Sequence, residues 1–492
     1  MERILLRIDN KPIPLWLLIL LSFAGYLALS LLFPLRPHYN VAPPLDIRSF
    51  APSLLEGLVY GVLICLLYAL YWLAVRQVVK REAGLSLLAI LLVTAAFCLP
   101  LLLTYPINAN DIYRYFIRAR ITTVYNENPY TVTPSDLTED PYISLSGEWA
   151  EVTTPYGPLW ELTAGTAASA TPNDLWSSLL IFKGLAALAF MASAVVIWLS
   201  LSRSGTSRRA GATILWAWNP ALLLIFAMDG HNDSLMLLWL LIGWWLIDRD
   251  RYQMGMIVML LAPLTKAIGL LPLPIFFLAV LRRLPNNAAR ARFLIITLIA
   301  GLILLAVFFL PFGSPLDLAL RLLEEAEGGL GFSPITLVFL VVREILDLTP
   351  SFILLSRILV ALFGLLAIWL LWQTLRGRSP LRGAADIFAG YVFQALNFRI
   401  WYASWPLPWL ILDRERSNQQ DPISSARLSA GLAFLLTTQL SVIIYGHVRV
   451  WVLGGSNFAA HLIGVPFTFL LPVAFGLYVK GYLEKKSAGP QP

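Results

Sequence analysis

Charged side chains are scarce in this sequence: aspartate, glutamate, lysine and arginine together make up 13% of its 492 residues. Soluble domains usually carry about 25%. Hydrophobic residues account for 58%, which is more apolar surface than a soluble fold of this length can bury. The excess must face lipid, and this excludes a soluble enzyme and a disordered chain.

Cysteine is also rare, with two residues, Cys65 and Cys98, each inside a long apolar run. Two such cysteines cannot form the disulfide framework of a small secreted protein. Only one long stretch of the sequence, residues 105–177, is hydrophilic, so no separate soluble domain is expected. We predict a single polytopic transmembrane domain over residues 1–479 and a short cytoplasmic tail over residues 480–492.

Apolar stretches near twenty residues are long enough to cross the hydrocarbon core of a bilayer as helices. The clear ones are residues 14–33, 54–75, 85–104, 178–201, 210–228, 234–247, 293–311, 351–372, 428–445 and 459–479. Two further segments, 254–281 and 384–412, are interrupted by proline and charged residues and are predicted to be helical hairpins. The sequence therefore predicts an all-α polytopic membrane protein with about 14 transmembrane or re-entrant helices.

The net charge of +7 at pH 7 follows from the membrane topology. If the N-terminus is cytoplasmic and the loops alternate, 24 of the 36 lysine and arginine residues fall in inner loops. This is the positive-inside bias, and it predicts a multi-pass cell-membrane protein with both termini in the cytoplasm. No nucleic-acid partner is expected, because the cations are distributed over the inner loops.

The same topology places residues 105–177 outside, and loops of this length in a compact protein are usually functional. Within the loop, helical spacing brings Asp111, Arg114 and Arg118 to one face and apolar residues to another. This pattern predicts a helix that lies flat on the membrane surface with its polar face toward an aqueous cavity. The apolar segment 158–170 cannot cross the membrane on this topology, so it is predicted to be an interfacial or re-entrant helix.

Six short motifs follow one another along the first part of the chain. They are Asn110-Asp111-Ile112-Tyr113-Arg114-Tyr115, Asn128-Pro129-Tyr130, Pro155-Tyr156-Gly157-Pro158-Leu159-Trp160, Asn219-Pro220, Asp229-Gly230-His231-Asn232-Asp233 and Leu264-Thr265-Lys266. As an ordered set they resemble the GT-C class of membrane glycosyltransferases, and in particular the polyprenol-phosphate-mannose-dependent α-mannosyltransferases of bacterial lipoglycans. The resemblance covers about residues 85–281, with an echo at residues 401–405. It departs from the family at Ala119-Arg120, where relatives commonly place a glycine.

This resemblance implies a GT-C-type bundle that acts as an integral-membrane glycosyltransferase. It would move a hexose, expected to be mannose, from a polyprenyl-phosphate donor to a glycan or lipid-linked acceptor at the outer face. Asp111 matches the acidic residue that serves in this class as the catalytic base. A carboxylate can take the proton of the acceptor hydroxyl while that oxygen attacks the anomeric carbon, which inverts the configuration. From the sequence alone, Asp111 could instead belong to an ordinary helix start with Asn108 as N-cap.

The leaving phosphate of such a reaction needs cations, and three residues are candidates. Lys266 lies in the break of one hairpin, Arg399 lies in the break of the other, and Arg114 follows Asp111 by one helical turn. Ionisable residues at membrane depth are costly and often functional. The alternative for Lys266 and Arg399 is that their long side chains extend to the membrane interface.

Several aromatic and polar residues near these positions are candidates for substrate binding: Tyr115, Tyr156, Trp160, His231, Asn232, Asp233, Trp401 and Tyr402. The motif that contains Tyr156 and Trp160 could instead be a rigid helix start, and Asp233 could instead cap the next helix. Asp229, His231 and Asp233 offer three potential ligands for a divalent metal in one turn. Their spacing matches no metal signature, so no cofactor is expected.

A transporter or lipid-sugar flippase also fits the composition, as does a structural partner subunit. Transporters of this kind bind their substrate near the bilayer midplane, between broken helices. The candidate polar groups here gather toward the outer interface instead. The hypotheses differ in one structural expectation, because a transferase needs Asp111, Lys266, Arg399 and the turn at residues 229–233 around one cavity.

Overall fold

A computed structural model describes residues 13–80, 84–327, 331–348, 351–417 and 421–487. Over these residues the protein is built from helices, and its β-pairing is limited to two isolated bridges, Pro34 with Thr104 and Tyr156 with Lys266. Part of the charge count, namely Arg3, Arg7, Lys11 and Arg81, lies outside the described residues, as do residues 488–492 of the predicted tail. The prediction of an all-α polytopic membrane protein is confirmed.

The first half of the chain contains helices that correspond to six of the predicted spans and to the loop between them. They are α1 Leu15–Leu32, α2 Ile47–Phe50, α3 Leu54–Lys80, α4 Leu87–Leu102, α5 Asp111–Thr123, α6 Pro158–Ser169, α7 Leu175–Ser200, α8 Thr206–Ala217, α9 Pro220–Leu223 and α10 Asp233–Ile247. Short 3-10 helices at Pro134–Asp136 and Ile143–Trp149 lie in the loop, and a π-helical turn, Leu224–Met228, follows α9.

The second half contains both broken hairpins and the remaining spans. Its helices are α11 Tyr252–Met259, α12 Leu261–Thr265, α13 Leu273–Arg283, α14 Asn287–Phe309, α15 Pro315–Glu327, α16 Pro334–Glu344, α17 Phe352–Leu375, α18 Pro380–Gln394, α19 Leu407–Arg416, α20 Pro422–Ile443, α21 Arg449–Trp451, α22 Asn457–Val465 and α23 Leu471–Ser487. Short 3-10 helices occupy Ala267–Leu270 and Ile400–Ser404, and π-helical turns occupy Ile444–Val448 and Pro466–Leu470.

Each predicted apolar segment coincides with helix. By length and composition, 7 helices of the described residues can cross a membrane, and a bent pair raises the number to 8. Three shorter apolar helices, Leu87–Leu102, Asp233–Ile247 and Tyr252–Thr265, account for further predicted segments. Each predicted hairpin is broken as expected, by the 3-10 helix Ala267–Leu270 in one and by Ile400–Ser404 in the other.

The segment at residues 210–228 differs from the straight span that its hydropathy predicts. It bends by 49° between Thr206–Ala217 and Pro220–Met228. The side chain of Asn219 accepts hydrogen bonds from the backbone N–H groups of Ala221 and Leu222, so a new helix begins there. Pro220 has no N–H to continue the preceding helix, which completes the break.

The outer loop is folded tightly, and protein encloses most of α5, the helix that the sequence predicts to lie flat on the membrane surface. Ten of its residues are buried, including the arginines Arg118 and Arg120. The Arg118 guanidinium donates to the carbonyls of Val152 and Thr153, and Arg120 forms an ion pair of 2.9 Å with Asp140. On the polar face of α5, Arg118 therefore contacts protein, whereas Asp111 and Arg114 line a cavity as the amphipathic pattern predicts.

Candidate active site

A cavity of about 410 Å³ opens where α5 meets the two helix breaks. Its wall comes from the start of α5, from residues 149–156 of the loop, from the breaks at 266–271 and 394–405, and from α17. Seven of the residues singled out in the sequence line it: Asp111, Arg114, Tyr156, Lys266, Arg399, Trp401 and Tyr402. Residues that are far apart in sequence are therefore gathered around one space.

Asp111 is the first residue of α5 and is nearly buried, with 3% of its surface exposed. One carboxylate oxygen forms an ion pair of 2.7 Å with Arg114, and the other lies 3.5 Å from Nδ1 of His231. Burial by itself would raise the pKa of Asp111, but the charges of Arg114, Lys266 and Arg399 outweigh it and lower the pKa below its ordinary value. Asp111 is therefore ionised at neutral pH.

The helix-start alternative for Asp111 receives no support from Asn108. The N-cap residue of α5 is Asn110, whose side chain makes no capping hydrogen bond. Asn108 instead donates a hydrogen bond of 3.4 Å to Gln439, a residue of α20. The carboxylate of Asp111 is thus held by side chains across the cavity wall and not by a local cap.

Two arginines share one aromatic neighbour in the cavity wall. The guanidinium of Arg114 lies 3.9 Å from the ring centre of Trp149, and that of Arg399 lies 5.9 Å from the same ring. Arg114 is also paired with Asp111. In the described part of the chain, Arg399 has no carboxylate within ion-pair distance, so its charge is available to a ligand.

Lys266 lines the cavity at the end of α12, but its charge is already compensated. Its Nζ donates to Asp233 at 2.7 Å, and the other oxygen of Asp233 accepts a bond of 2.6 Å from Nε1 of Trp405. Asp233 is fully buried at the first turn of α10. The prediction treated Lys266 as a free cation at the hairpin tip, and the structure gives it this fixed partner.

Two of the sequence motifs are in direct contact. The N–H of Gly157 donates to the carbonyl of Thr265, and Tyr156 forms an isolated antiparallel bridge with Lys266. A Cβ on Gly157 would lie 2.1 Å from the carbonyl oxygen of Leu264, so only glycine permits this approach. The loop is thereby fixed to the break of the first hairpin, and this positions Lys266.

Five predicted substrate-binding residues lie behind the cavity wall and do not line it: Tyr115, Trp160, His231, Asn232 and Asp233. Their interpretation as direct substrate ligands is therefore corrected. The ring of Tyr115 packs edge-on against Trp160, with ring centres 4.7 Å apart, and its hydroxyl accepts the backbone N–H of Asn232. These buried side chains therefore pack behind the residues that line the cavity.

His231 is fully buried and stacks on Trp401, with ring centres 4.1 Å apart. Its Nδ1 lies between two carboxylates, 3.5 Å from Asp111 and 3.8 Å from Asp233. Burial lowers the pKa of His231 to about 4, although both carboxylates act to raise it. The imidazole is therefore neutral at pH 7, and it separates the two carboxylates.

Sequence reasoning missed Trp149, Tyr391, Asn397 and Trp405, which also line the cavity. Trp405 ends the echo motif at residues 401–405, so that motif was a usable signal for it. Trp149 lies in a loop with no periodic pattern, and nothing in its neighbourhood marks it.

The three potential metal ligands Asp229, His231 and Asp233 do not form a metal-binding group. Over the described residues, no group of three or more histidine, cysteine, aspartate and glutamate side chains is arranged to hold a metal ion. The turn at residues 229–233 therefore gives no support to the metal alternative.

Comparison with known proteins assigns the chain to a family. A family profile described as "Alpha-(1->6)-mannopyranosyltransferase, N-terminal domain" matches residues 19–282, which is more than half of the chain. The chain belongs to this family. The matched region contains Asp111, Tyr156, His231 and Lys266, and it ends before the second helix break with Arg399.

Individual relatives agree with this assignment. Alpha-(1->6)-mannopyranosyltransferase B of Corynebacterium glutamicum is 29% identical over 182 residues, 36% of this chain and 30% of the relative. Alpha-(1->6)-mannopyranosyltransferase A of Mycobacterium tuberculosis is 28% identical over 246 residues, 49% of this chain and 46% of the relative. The chain thus matches less than half the length of these two curated relatives. A Mycolicibacterium smegmatis protein named a probable alpha-(1->6)-mannopyranosyltransferase is 24% identical over 394 residues, 71% of this chain and 68% of its own.

Proposed function

We propose that this protein is an inverting mannosyltransferase of the membrane. It takes mannose from a polyprenyl-phosphate donor and transfers it to a glycan or lipid-linked acceptor, and Asp111 is its catalytic base. The observation that carries this proposal is the single cavity lined by Asp111, Arg114, Lys266 and Arg399. The names of the family and of its relatives support mannose as the sugar.

The cavity offers the two environments that a lipid-linked phosphosugar requires. Arg399 and Arg114 supply positive charge for a phosphate, and guanidinium groups bind phosphate oxygens in pairs of hydrogen bonds. Another part of the lining is apolar and includes Leu270, Leu359 and Val360. A polyprenyl chain can lie against these residues while its phosphate reaches the arginines.

The proposed reaction forms one bond and breaks another at the anomeric carbon. The acceptor oxygen attacks this carbon from the face opposite the phosphate, and the carbon–oxygen bond to phosphate breaks with its electron pair on the phosphate oxygen. The proton of the acceptor hydroxyl passes to Asp111. A β-linked donor therefore gives an α-linked product.

The charges of the cavity suit this order of events. Asp111 is a weak base because its pKa is low, so the proton moves once the new bond has made the acceptor oxygen acidic. The phosphate gains one negative charge as it leaves, and Arg399 is the cation best placed to stabilise it. Lys266 acts through Asp233 and Trp405, as a residue that shapes the wall.

The transporter hypothesis receives less support from this arrangement. The cavity is lined by residues of the folded loop and by the ends of α12 and α18. The substrate site of an alternating-access transporter lies between helices near the midplane of the bilayer. We accordingly propose that the cavity faces the outer side of the cell membrane and that both termini are cytoplasmic, as the charge distribution of the loops predicts.

Replacing Asp111 by asparagine tests the proposal, because the amide keeps the size of the side chain and cannot take a proton. We expect D111N to fold with wild-type yield and to lose transfer of mannose from polyprenyl-phosphate mannose to an oligomannoside acceptor by a factor of about 10² to 10⁴. The matched control is D136N, the same substitution at an exposed turn of the same loop. Transfer by D111N at the rate of D136N would refute Asp111 as the base.

A further inference from the structure

A second cavity, of about 390 Å³, lies at the opposite end of the helices that build the first. Helix α18 begins at Pro380 beside this second cavity and ends at Gln394 in the wall of the first. At 1.5 Å per residue, the two cavities are about 20 Å apart along α18. The charge distribution of the loops assigns this second end of the bundle to the cytoplasm.

Four arginines from three segments of the chain line the second cavity. Arg282 and Arg283 end α13, Arg378 precedes α18, and Arg416 ends α19. The lining contains no aspartate or glutamate. The positive-inside bias explains why arginines are frequent in such loops, but it does not explain why four guanidinium groups from three segments surround one space.

In the part of the chain that the structure describes, carboxylates form ion pairs with only two of these four arginines. Arg416 forms a bidentate ion pair with Asp248, with contacts of 2.5 Å and 2.7 Å, and Arg378 pairs with Asp386. Arg282 donates to the carbonyl of Thr374 at 2.9 Å. Over the described residues, neither Arg282 nor Arg283 has a carboxylate within ion-pair distance, so about two positive charges remain for a ligand.

The backbone around the cavity also favours an anion. Gly377 has a φ of +104°, and a Cβ there would lie 3.2 Å from Nη2 of Arg282, so glycine lets the chain pass close to this guanidinium. Ser379 lines the cavity as the N-cap of α18, whose 15 residues direct the positive end of the helix dipole toward the same space. The Nε of Arg378 is buried and has no hydrogen-bond partner among the described residues.

We propose that this cavity binds a phosphate group, either in the head group of an anionic lipid of the inner leaflet or in a soluble phosphate. Guanidinium groups bind phosphate oxygens through paired, charge-assisted hydrogen bonds, and Arg282 and Arg283 are the two whose charge no carboxylate of the described residues balances. The site is independent of the proposed donor site around Asp111, because the two cavities share no residue.

The test measures the melting temperature of the full chain in neutral detergent micelles. One arm titrates phosphatidylglycerol against phosphatidylcholine, and the other titrates inorganic phosphate against chloride. We expect one anion to raise the melting temperature with saturation, and the half-saturating amount to rise about tenfold in R282Q/R283Q, since two charge-assisted contacts are lost. Saturation by phosphatidylglycerol alone identifies the lipid, and saturation by inorganic phosphate identifies the soluble source.

The matched control is R292Q/R376Q, which removes two arginines from the same end of the bundle that do not line the cavity. It should respond like the wild type. R283Q alone serves as a second variant that leaves the contact of Arg282 with Thr374 intact, and it should show an intermediate loss. The proposal is overturned when neither anion shifts the melting temperature, or when R282Q/R283Q and the control respond equally.

Discussion

Lys266 and Asp233 are joined across 2.7 Å at the rim of the proposed active site, although 33 positions separate them in the chain. Asp233 is fully buried and Lys266 is 16% exposed at its side chain, so the ion pair is largely removed from water. Breaking a pair of this kind by removing one partner leaves an uncompensated charge inside the protein. Removing either partner should therefore measurably lower the free energy of unfolding.

We predict that D233A destabilises the protein by about 3–5 kcal/mol, as is typical for a buried pair that loses one partner. The measurement is the melting temperature of the purified protein in micelles, compared with K266M and with the double variant. Because each single variant already removes the same interaction, the double variant should lose less stability than the two single variants summed. Strictly additive losses would contradict the pairing.

Glycine at position 157 should be essential for joining the loop to the first helix break. In G157A the new methyl group would collide with the backbone of Leu264, and backbone cannot move aside as a flexible side chain can. We expect a loss of about 3 kcal/mol or more and a strong fall in mannose transfer.

Gly165 offers the matched control, because it lies within α6 and a Cβ there would meet Thr123 at an ordinary contact distance of 3.6 Å. G165A should be neutral or stabilising by up to about 1 kcal/mol, since alanine favours helix. Equal melting temperatures for G157A and G165A would argue against the close approach at Leu264.

The buried imidazole of His231 predicts a pH dependence of stability. Its pKa falls from the ordinary 6.5 to about 4 in the folded protein, so below pH 6.5 the unfolded chain takes up a proton that the folded chain excludes. Stability attributed to His231 is thus fully present above pH 6.5 and is lost as the pH falls toward 4. By linkage, the full loss amounts to about 3 kcal/mol.

The variant H231Q isolates this contribution. Burial raises the pKa of Glu161 to about 7, which acts in the opposite direction because it favours the folded state at low pH. Glu161 is present in both proteins, so its effect cancels in the comparison. Melting temperatures between pH 7 and pH 4.5 should therefore fall less for H231Q than for the wild type, and parallel curves would count against a buried neutral His231.

Arg399 should bind the leaving phosphate, and this role should depend on the positive charge of its guanidinium group. R399Q removes the cation, and we expect mannose transfer to fall by about 10² or more, as on loss of one group that stabilises a developing anion. R399K keeps the charge without the planar fork and should retain part of the activity. R343Q, at an exposed arginine paired with Glu344, is the control and should transfer at the wild-type rate. Equal rates for R399Q and R343Q would remove Arg399 from the reaction.

Much of the helical fold can be predicted from the sequence, because helices that face lipid are long apolar segments. The two helix breaks could also be predicted from the sequence, since a proline and a charged residue inside an apolar segment interrupt the helix. The fold of the outer loop could not be predicted from the sequence. Its helix α5 has the amphipathic pattern of a surface helix, but Arg118 and Arg120 bind loop segments that lie 20 to 35 positions further along the chain.

The same limit applies to the candidate site. Lys266 and Arg399 stood out because a charge is unexpected inside an apolar segment, and Asp111 stood out for its position in a motif. The pairing of Lys266 with Asp233 and the contacts of Trp149 with two arginines join distant segments, and no local pattern encodes them. His231 was found for its position in a motif, and only the fold shows that it lies behind Trp401.

Helix α17 has a consequence for how the proposed enzyme is supplied. It lines the active-site cavity through Ser356, Leu359 and Val360, yet protein buries only 11% of its apolar stretch. The same helix therefore borders the cavity and is largely exposed to the surrounding bilayer. A donor whose tail stays in the membrane would exchange by diffusion in two dimensions, so saturation should follow its mole fraction in the leaflet and not its bulk concentration.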